Sequence, residues 1–105
     1  MRGLLAMLAS LAAGSALAAG DADELALGKS LFTGRATPAC AVCHTLKDAG
    51  STGEVGPVLD EIKPSPERVM TALRNGVGLM PSYKDTLTDA QIRALARYVS
   101  TVAGR

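Results

Sequence analysis

The chain has 105 residues, with 11 lysines and arginines against 10 acidic residues and a formal net charge of +1. This balance excludes the strongly basic surface of a typical nucleic-acid-binding protein and gives no reason to predict an anionic membrane surface as partner. With one phenylalanine, two tyrosines and no tryptophan, a domain this small needs a further source of stability in its core.

Residues 1–18 are predicted to be a secretory signal peptide. The segment has one basic residue, Arg2, then the apolar run Leu4–Ala13 and a small-x-small cleavage motif that ends at Ala18. The apolar run is too short to span roughly 30 Å of hydrocarbon, and an uncleaved membrane tether is the alternative. Cleavage would leave one domain, 19–105, which is formally neutral, periplasmic and not inserted in the membrane.

The first predicted helix covers residues 21–33. Asp21 is the expected N-cap, Glu24 three residues later completes a capping box, and Gly34 is expected to end the helix. Gly28 stands in the middle of this helix, where glycine costs about 1 kcal/mol relative to alanine. We favour the close approach of another backbone as the reason for this glycine, and simple tolerance is the alternative.

The segment after residue 44 is rich in glycine and proline, which excludes a long regular element there. A second helix is predicted to begin after Ser65 as N-cap, with proline at its first position, and to end at Asn75 before Gly76. Residues 76–87 are again predicted to be irregular.

The last helix has the clearest pattern in the chain. Thr88 is the predicted N-cap, Gln91 completes a capping box, and apolar residues recur on one face until Gly104 ends the helix. No alternating strand pattern of useful length is present. The predicted fold class is therefore all-α, with three to four short helices joined by long loops.

The stretch CAVCH, residues 40–44, contains both cysteines and the only histidine of the chain. A zinc site needs four ligands, so these three residues would require a carboxylate as the fourth. A thioredoxin-like redox pair is expected beside a βαβ pattern, which is not seen. A structural disulfide between the two cysteines would close almost no loop and would add little stability.

Covalent attachment of one haem is the interpretation we favour, because C-x-x-C-H is the attachment signature of c-type haem. Cys40 and Cys43 lie one helical turn apart, so both thiols can form thioether bonds with the vinyl groups of one porphyrin. His44 is then positioned to bind the iron through Nε2. The porphyrin would also supply the large apolar body that the core lacks.

Met80 is predicted to be the second axial ligand of the iron. The chain has no second histidine, and residues 19–105 contain only Met70 and Met80 as methionines. Met70 lies on the apolar stripe of the second helix, where methionine commonly fills the core. Met80 lies in an irregular loop between Gly78 and Pro81, where packing does not explain it. An open or weakly held sixth position is the alternative.

Five stretches resemble the class I c-type cytochromes over essentially the whole of residues 19–105: GKSLF, CAVCH, VGPVL, GLMPSY and LARYV. Two features depart from the pattern of that family. The tryptophan of many mitochondrial members is absent, and Asp60 stands where a glycine is common. The short loops and the residue pattern around VGPVL and GLMPSY are most similar to those of the monohaem cytochromes that serve periplasmic sulfite dehydrogenases.

The resemblance implies specific roles for several residues. Gly28 and Phe32 of the first helix are expected to cross the last helix near Tyr98. The carbonyl group of Pro57 is expected to accept a hydrogen bond from Nδ1 of His44, which would orient the ring and raise its basicity as a ligand.

The predicted function is one-electron transfer in the periplasm, from a dehydrogenase to an oxidase or another cytochrome. With His44 and Met80 both bound to iron, no position remains for a substrate. No acid–base or nucleophilic constellation is visible, so no enzymatic activity is predicted. One alternative is a fixed cytochrome subunit of a dehydrogenase such as sulfite dehydrogenase. The other is a haem sensor or peroxidase in which Met80 is displaceable.

Surface roles are predicted for a few further residues. Uncharged residues around the haem crevice are candidates for a docking patch, with simple haem packing as the equal alternative: Ala39, Ala41, Val42 and Leu79. Three cations are candidates for pairing with the haem propionates, although ordinary surface placement is favoured for each: Lys63, Arg68 and Arg74. Tyr83 is expected to be a half-exposed loop tyrosine, and the alternative is a hydroxyl group that points towards the haem pocket or a partner.

Overall fold

The computed structural model describes Gly3, Ala6 and residues 13–105 of the chain. This part contains five α-helices: α1 (Ala13–Ser30), α2 (Cys40–Cys43), α3 (Leu59–Ile62), α4 (Pro66–Asn75) and α5 (Asp89–Val102). Two short strands, β1 (Thr45–Leu46) and β2 (Ser51–Thr52), pair antiparallel around a turn of 3-10 helix, Lys47–Ala49. The predicted all-α fold class with long loops is confirmed. The two strands were not predicted, because two residues are too few to give an alternating pattern in the sequence.

The predicted signal peptide falls mostly on residues outside the described part, so cleavage after Ala18 stays a prediction. Within the described residues, no helix combines the length and the apolar character needed to cross a membrane.

Helix α1 begins earlier than predicted. It starts at Ala13 because the alanine-rich residues 13–20 favour helix and continue without a break through Asp21. The prediction that Asp21 is an N-cap is therefore wrong. Its carboxylate instead lies 2.9 Å from a guanidinium nitrogen of Arg97 on α5, and Glu24 lies 3.1 Å from the same guanidinium group.

The predicted end of the first helix at Gly34 is also wrong. The α-helix stops at Ser30 and continues as one π-helical turn, Leu31–Arg35, which closes with a 3.1 Å hydrogen bond from Ala36 N–H to the Leu31 carbonyl. This wider turn carries the chain past Gly34 and leaves Leu31 buried in the core. The tertiary packing of the turn, rather than the glycine, decides where the helix ends.

Helices α4 and α5 agree with their predictions. The hydroxyl of Ser65 caps α4 by accepting a backbone N–H of the first turn, and Gly76 follows its last residue. Thr88 and Gln91 form the predicted capping box of α5, in which each side chain accepts the backbone N–H of the other residue. Gly104 follows α5 with a φ of 81°, a left-handed conformation that suits glycine.

Helix α1 crosses α5 at Gly28, in the predicted place. A Cβ atom at Gly28 would overlap the carbonyl oxygen of Ala94 and the Cβ of Tyr98. Phe32, one turn later, packs edge-on against Tyr98 with ring centroids 6.0 Å apart. The Tyr98 hydroxyl donates to Asp48 at 2.6 Å, and this bond holds the pKa of Asp48 below its usual value. Close backbone approach is thus the reason for Gly28.

Asp60, at a position where glycine is common in the cytochromes that this chain resembles, links the turn at Lys47 to Gly104 near the C-terminus. One carboxylate oxygen accepts the backbone N–H of Lys47 at 2.8 Å, and the other accepts that of Gly104 at 2.9 Å. An aspartate is therefore tolerated at this position because its carboxylate satisfies two backbone donors that no strand or helix pairs.

The crossing supports a prediction for Gly28→Ala. The new methyl group must push α1 away from α5, so the free energy of unfolding is expected to fall by about 2 kcal/mol, despite a helix-propensity gain of about 1 kcal/mol. Urea unfolding of the holoprotein, followed by circular dichroism, measures this loss. Gly34→Ala is the control, because a Cβ there meets no atom within 4 Å. Equal midpoints for the two variants would contradict the crossing as described.

Candidate functional site

One cavity of about 340 Å³ brings the predicted site residues together. The lining includes all five of them: Cys40, Cys43, His44, Pro57 and Met80. The volume lies in the range of roughly 300–1,000 Å³ that is typical of ligand pockets. Met70 is absent from this lining and instead packs partly buried against the core beside a separate surface groove between α4 and α5. Its predicted role as core filler is confirmed.

Apolar side chains from α3, α4, α5 and the loops supply most of the remaining lining. Arg68 is the one lining residue that carries a fixed charge. Arg74 points elsewhere, with its guanidinium 4.0 Å from Asp89, and the aliphatic stem of Lys63 lies against Gly104. Of the three candidate cations, Arg68 is therefore the one that an acidic group in the cavity could reach.

The two cysteines lie at the ends of the single helical turn α2. The turn follows extended backbone at Ala39 and closes with a 3.0 Å hydrogen bond from His44 N–H to the Cys40 carbonyl. Neither thiol is bridged, and both are partly buried. Burial raises the pKa of the Cys40 thiol to about 11. The turn thus presents two thiols to an apolar cavity, with the imidazole directly after them.

The histidine ring is oriented by the middle loop. Nδ1 of His44 lies 2.8 Å from the carbonyl oxygen of Pro57. Because that oxygen can only accept, Nδ1 carries the hydrogen, and the lone pair of Nε2 is left available to a metal ion. A Cβ at Gly56 would lie 2.5 Å from Cε1 of the same ring. The glycine before Pro57 therefore provides the space in which the ring lies.

Sequence reasoning missed Ser51, which holds the backbone around the histidine. Its buried hydroxyl donates to the His44 carbonyl at 2.9 Å and accepts the N–H of Leu46 at 3.0 Å. The N–H of Gly56 donates to the Cys43 carbonyl at 2.7 Å. A serine in a polar loop carries no signal that separates this role from an exposed one, so only the structure identifies it.

Met80 lies at the end of a tight loop that follows α4. Two backbone hydrogen bonds with Val77, of 3.0 and 2.8 Å, close the loop, and Gly76 and Gly78 both have positive φ. A Cβ at Gly76 would lie 2.9 Å from the Met80 carbonyl oxygen. The glycines of GVGLM therefore bend the chain so that the thioether side chain of Met80 lines the cavity.

The prediction that Tyr83 is half-exposed is wrong. Tyr83 is 4% exposed and lines the cavity, and its hydroxyl donates to the Pro38 carbonyl at 2.5 Å. Burial raises its pKa to about 12, so the phenol stays protonated at neutral pH. Its neighbours Pro81, Ser82 and Lys84 are all exposed, so the polar loop around Tyr83 gave no sequence signal of burial.

Several apolar side chains of the cavity lining and of helix α2 are exposed. Leu79 is 90% exposed and Val42 is 66% exposed, while Ala39 and Ala41 are partly exposed. Val77 and Leu79, both in the Met80 loop, line the cavity, and Val77 is 63% exposed. Ala39, Val77 and Leu79 border the same cavity, and clustered apolar side chains that are exposed mark interaction sites more often than isolated ones.

The donor set fits a covalently attached haem better than the other chemistries. Two thiols on one turn, an imidazole nitrogen and a thioether all border one apolar cavity. A zinc centre is not supported, because within residues 13–105 no group of three or more histidine, cysteine, aspartate or glutamate side chains is arranged to hold a metal ion. A thioredoxin-like pair would need a parallel sheet next to the cysteines, whereas α2 is followed by a two-residue antiparallel strand.

Comparisons with known proteins found a matching family and a similar solved structure. The family described as "Cytochrome C oxidase, cbb3-type, subunit III" matches residues 23–99. A crystal structure of the c-type cytochrome SorU from Sinorhizobium meliloti superposes with a TM-score of 0.77 at 59% sequence identity, covering 79% of this chain and 94% of that one.

Two curated relatives are algal proteins. Cytochrome c6 of Bryopsis maxima is 33% identical over 86 residues, which are 72% of this chain and 89% of the relative. Chloroplastic cytochrome c6 of Chlamydomonas reinhardtii is 32% identical over 105 residues, 90% of this chain. The alignment covers 66% of that relative, so the chain spans slightly less than two thirds of its length.

Proposed function

Because this chain belongs to the class I c-type cytochromes and carries one covalently bound haem c, we propose that His44 and Met80 are the two axial ligands of the haem iron. The observation that carries the proposal is the shared cavity, which both side chains line and which Met70 does not. Cys40 and Cys43 would hold the porphyrin through thioether bonds. The hydrogen bond from His44 Nδ1 to Pro57 would keep Nε2 free and make it a stronger donor to the iron.

When bound, the haem supplies a one-electron couple through its iron. The chain's own residues tune that couple. A thioether from Met80 favours the reduced state, and the apolar lining disfavours the additional positive charge of the oxidised state, so both raise the reduction potential. The lining also keeps water away from the metal. These properties suit an electron carrier that does not bind a substrate.

We place this carrier in the periplasm, on the strength of the predicted signal peptide and the C-x-x-C-H motif. The resemblance of its loops to cytochromes of periplasmic sulfite dehydrogenases supports a dehydrogenase of this kind as donor, with an oxidase or another cytochrome as acceptor. The exposed apolar residues that border the cavity, Leu79 and Val77, together with Val42 on α2, would form a small docking patch, since transient redox encounters bury less than about 1,200 Å². A fixed subunit of such a dehydrogenase remains the alternative arrangement.

A test with carbon monoxide separates the electron carrier from a haem sensor or peroxidase. With Met80 bound to the iron, the ferrous holoprotein at neutral pH is expected to keep its visible spectrum when carbon monoxide is added. Reversible one-electron redox titration of the same sample should give a single potential. A spectrum that changes to that of a carbon monoxide complex would contradict the proposal and favour an iron site in which Met80 is displaced.

A further inference from the structure

Tyr83 lies three residues after Met80 and is far more buried than its neighbours. Its residue surface is 4% exposed, whereas Pro81, Ser82 and Lys84 are all exposed. A buried hydroxyl group costs free energy unless it is hydrogen-bonded, and this one donates to the carbonyl oxygen of Pro38 at 2.5 Å. The Tyr83 ring therefore lines the cavity, and its hydroxyl group is hydrogen-bonded to the main chain of another segment.

That hydrogen bond joins the two segments that carry the proposed iron ligands. It spans 45 residues, and Pro38 lies two positions before Cys40. Within the described residues, it is the hydrogen bond that connects loop 76–87 to segment 36–44. This hydrogen bond therefore links the loop that carries Met80 directly to the segment that leads into Cys40 and His44.

Two other hydrogen bonds connect the loop to α4. Tyr83 N–H donates to the Leu73 carbonyl at 2.6 Å, and the Ser82 hydroxyl donates to the Arg74 carbonyl at 2.5 Å. Without the phenol hydroxyl, the loop would remain attached to α4 but would lose its hydrogen bond to the segment before the cysteines. The Pro38 carbonyl would also be left without this partner.

We propose that Tyr83 is a positioning residue for Met80, whose hydrogen bond to Pro38 sets how firmly the thioether is held at the iron. The inference rests on the proposed His44 and Met80 ligation. A positioning role differs from a general contribution to stability, because loss of the Tyr83 hydroxyl must then weaken the bond between Met80 and the iron in particular. Exogenous ligands that compete with Met80 for the ferric iron measure this strength directly.

The test titrates ferric holoproteins with imidazole and follows the visible spectrum. Tyr83→Phe is expected to bind imidazole about tenfold more tightly than wild type, the factor that corresponds to one lost buried hydrogen bond. Tyr98→Phe is the matched control, because it also removes a buried phenol hydroxyl, but its partner Asp48 lies outside the cavity lining. The control is expected to lose thermal stability and to keep the wild-type affinity for imidazole.

Equal imidazole affinities for Tyr83→Phe and wild type would overturn the inference, as would an equal gain in both tyrosine variants. Met80→Ala, titrated in parallel, separates this failure from failure of the proposed function. If Met80→Ala leaves the imidazole affinity of wild type unchanged, Met80 is not a ligand and both proposals fall. If Met80→Ala binds imidazole more tightly and Tyr83→Phe does not, only the role of Tyr83 is wrong.

A second variant covers the case in which Tyr83→Phe does not accumulate as holoprotein. p-Aminophenylalanine at position 83 keeps the ring and a weaker hydrogen-bond donor. Its affinity for imidazole is expected to exceed that of wild type and to lie below that of Tyr83→Phe where the latter is available. An affinity equal to that of wild type would again overturn the inference.

Discussion

Replacing Cys40 and Cys43 together with alanine is expected to give a polypeptide without covalent haem, even when the chain is exported and matured normally. Its mass should equal that of the bare polypeptide, and a denaturing gel stained for haem peroxidase activity should show no band. The loss should also abolish cooperative unfolding at room temperature. A domain of this size with three aromatic residues has no other bulky group to fill a cavity of about 340 Å³.

Val42→Ala is the control for the cysteine pair, since it lies in the same helical turn and is 66% exposed. It should keep both the haem band and the cooperative transition. Retention of covalent haem by the double cysteine variant would contradict thioether attachment. A wild-type protein that is itself colourless after export would remove the basis of the proposed function.

Met80→Ala is expected to have the largest effect on the redox chemistry. Loss of the thioether should lower the reduction potential by about 0.2 V, a quarter of the roughly 0.8 V range over which axial ligands set haem potentials. The ferrous variant should also bind carbon monoxide, because the sixth position of the iron becomes available. Redox titration and the carbon monoxide difference spectrum measure the two effects.

Met70→Ala provides the matched control for Met80→Ala. Met70 is partly buried against the core and does not line the cavity, so its loss should cost stability and leave the potential close to that of wild type. The assignment of Met80 as ligand is wrong if its variant keeps the wild-type potential, or if Met70→Ala is the one that loses it.

Several features of this protein follow from short segments of sequence. The caps of α4 and α5 at Ser65 and Thr88 were predicted correctly because an N-cap side chain bonds to backbone two or three residues away. The C-x-x-C-H motif identified the cofactor for a similar reason. Its chemistry needs both thiols and the imidazole within one helical turn, so spacing alone carries the information.

Other features depend on residues that are distant in the sequence. The start of α1 was predicted wrongly, because the N-cap pattern at Asp21 competes with an alanine-rich segment before it and with Arg97 on α5. Tyr83 was predicted to be half-exposed, since its burial depends on Pro38, 45 residues away.

Local spacing and a short inventory of residues were enough to predict the helical class and the haem attachment motif. The same inventory favours Met80 over Met70 as the proposed iron ligand. Contacts between distant segments reveal the rest: which cation faces the cavity, how Ser51 and Gly56 support His44, and how Tyr83 links the two segments that carry the proposed iron ligands. The physical reason is that burial and hydrogen-bond partners are properties of the packed chain, and a polar side chain in a loop has the same sequence pattern whether it is solvated or buried.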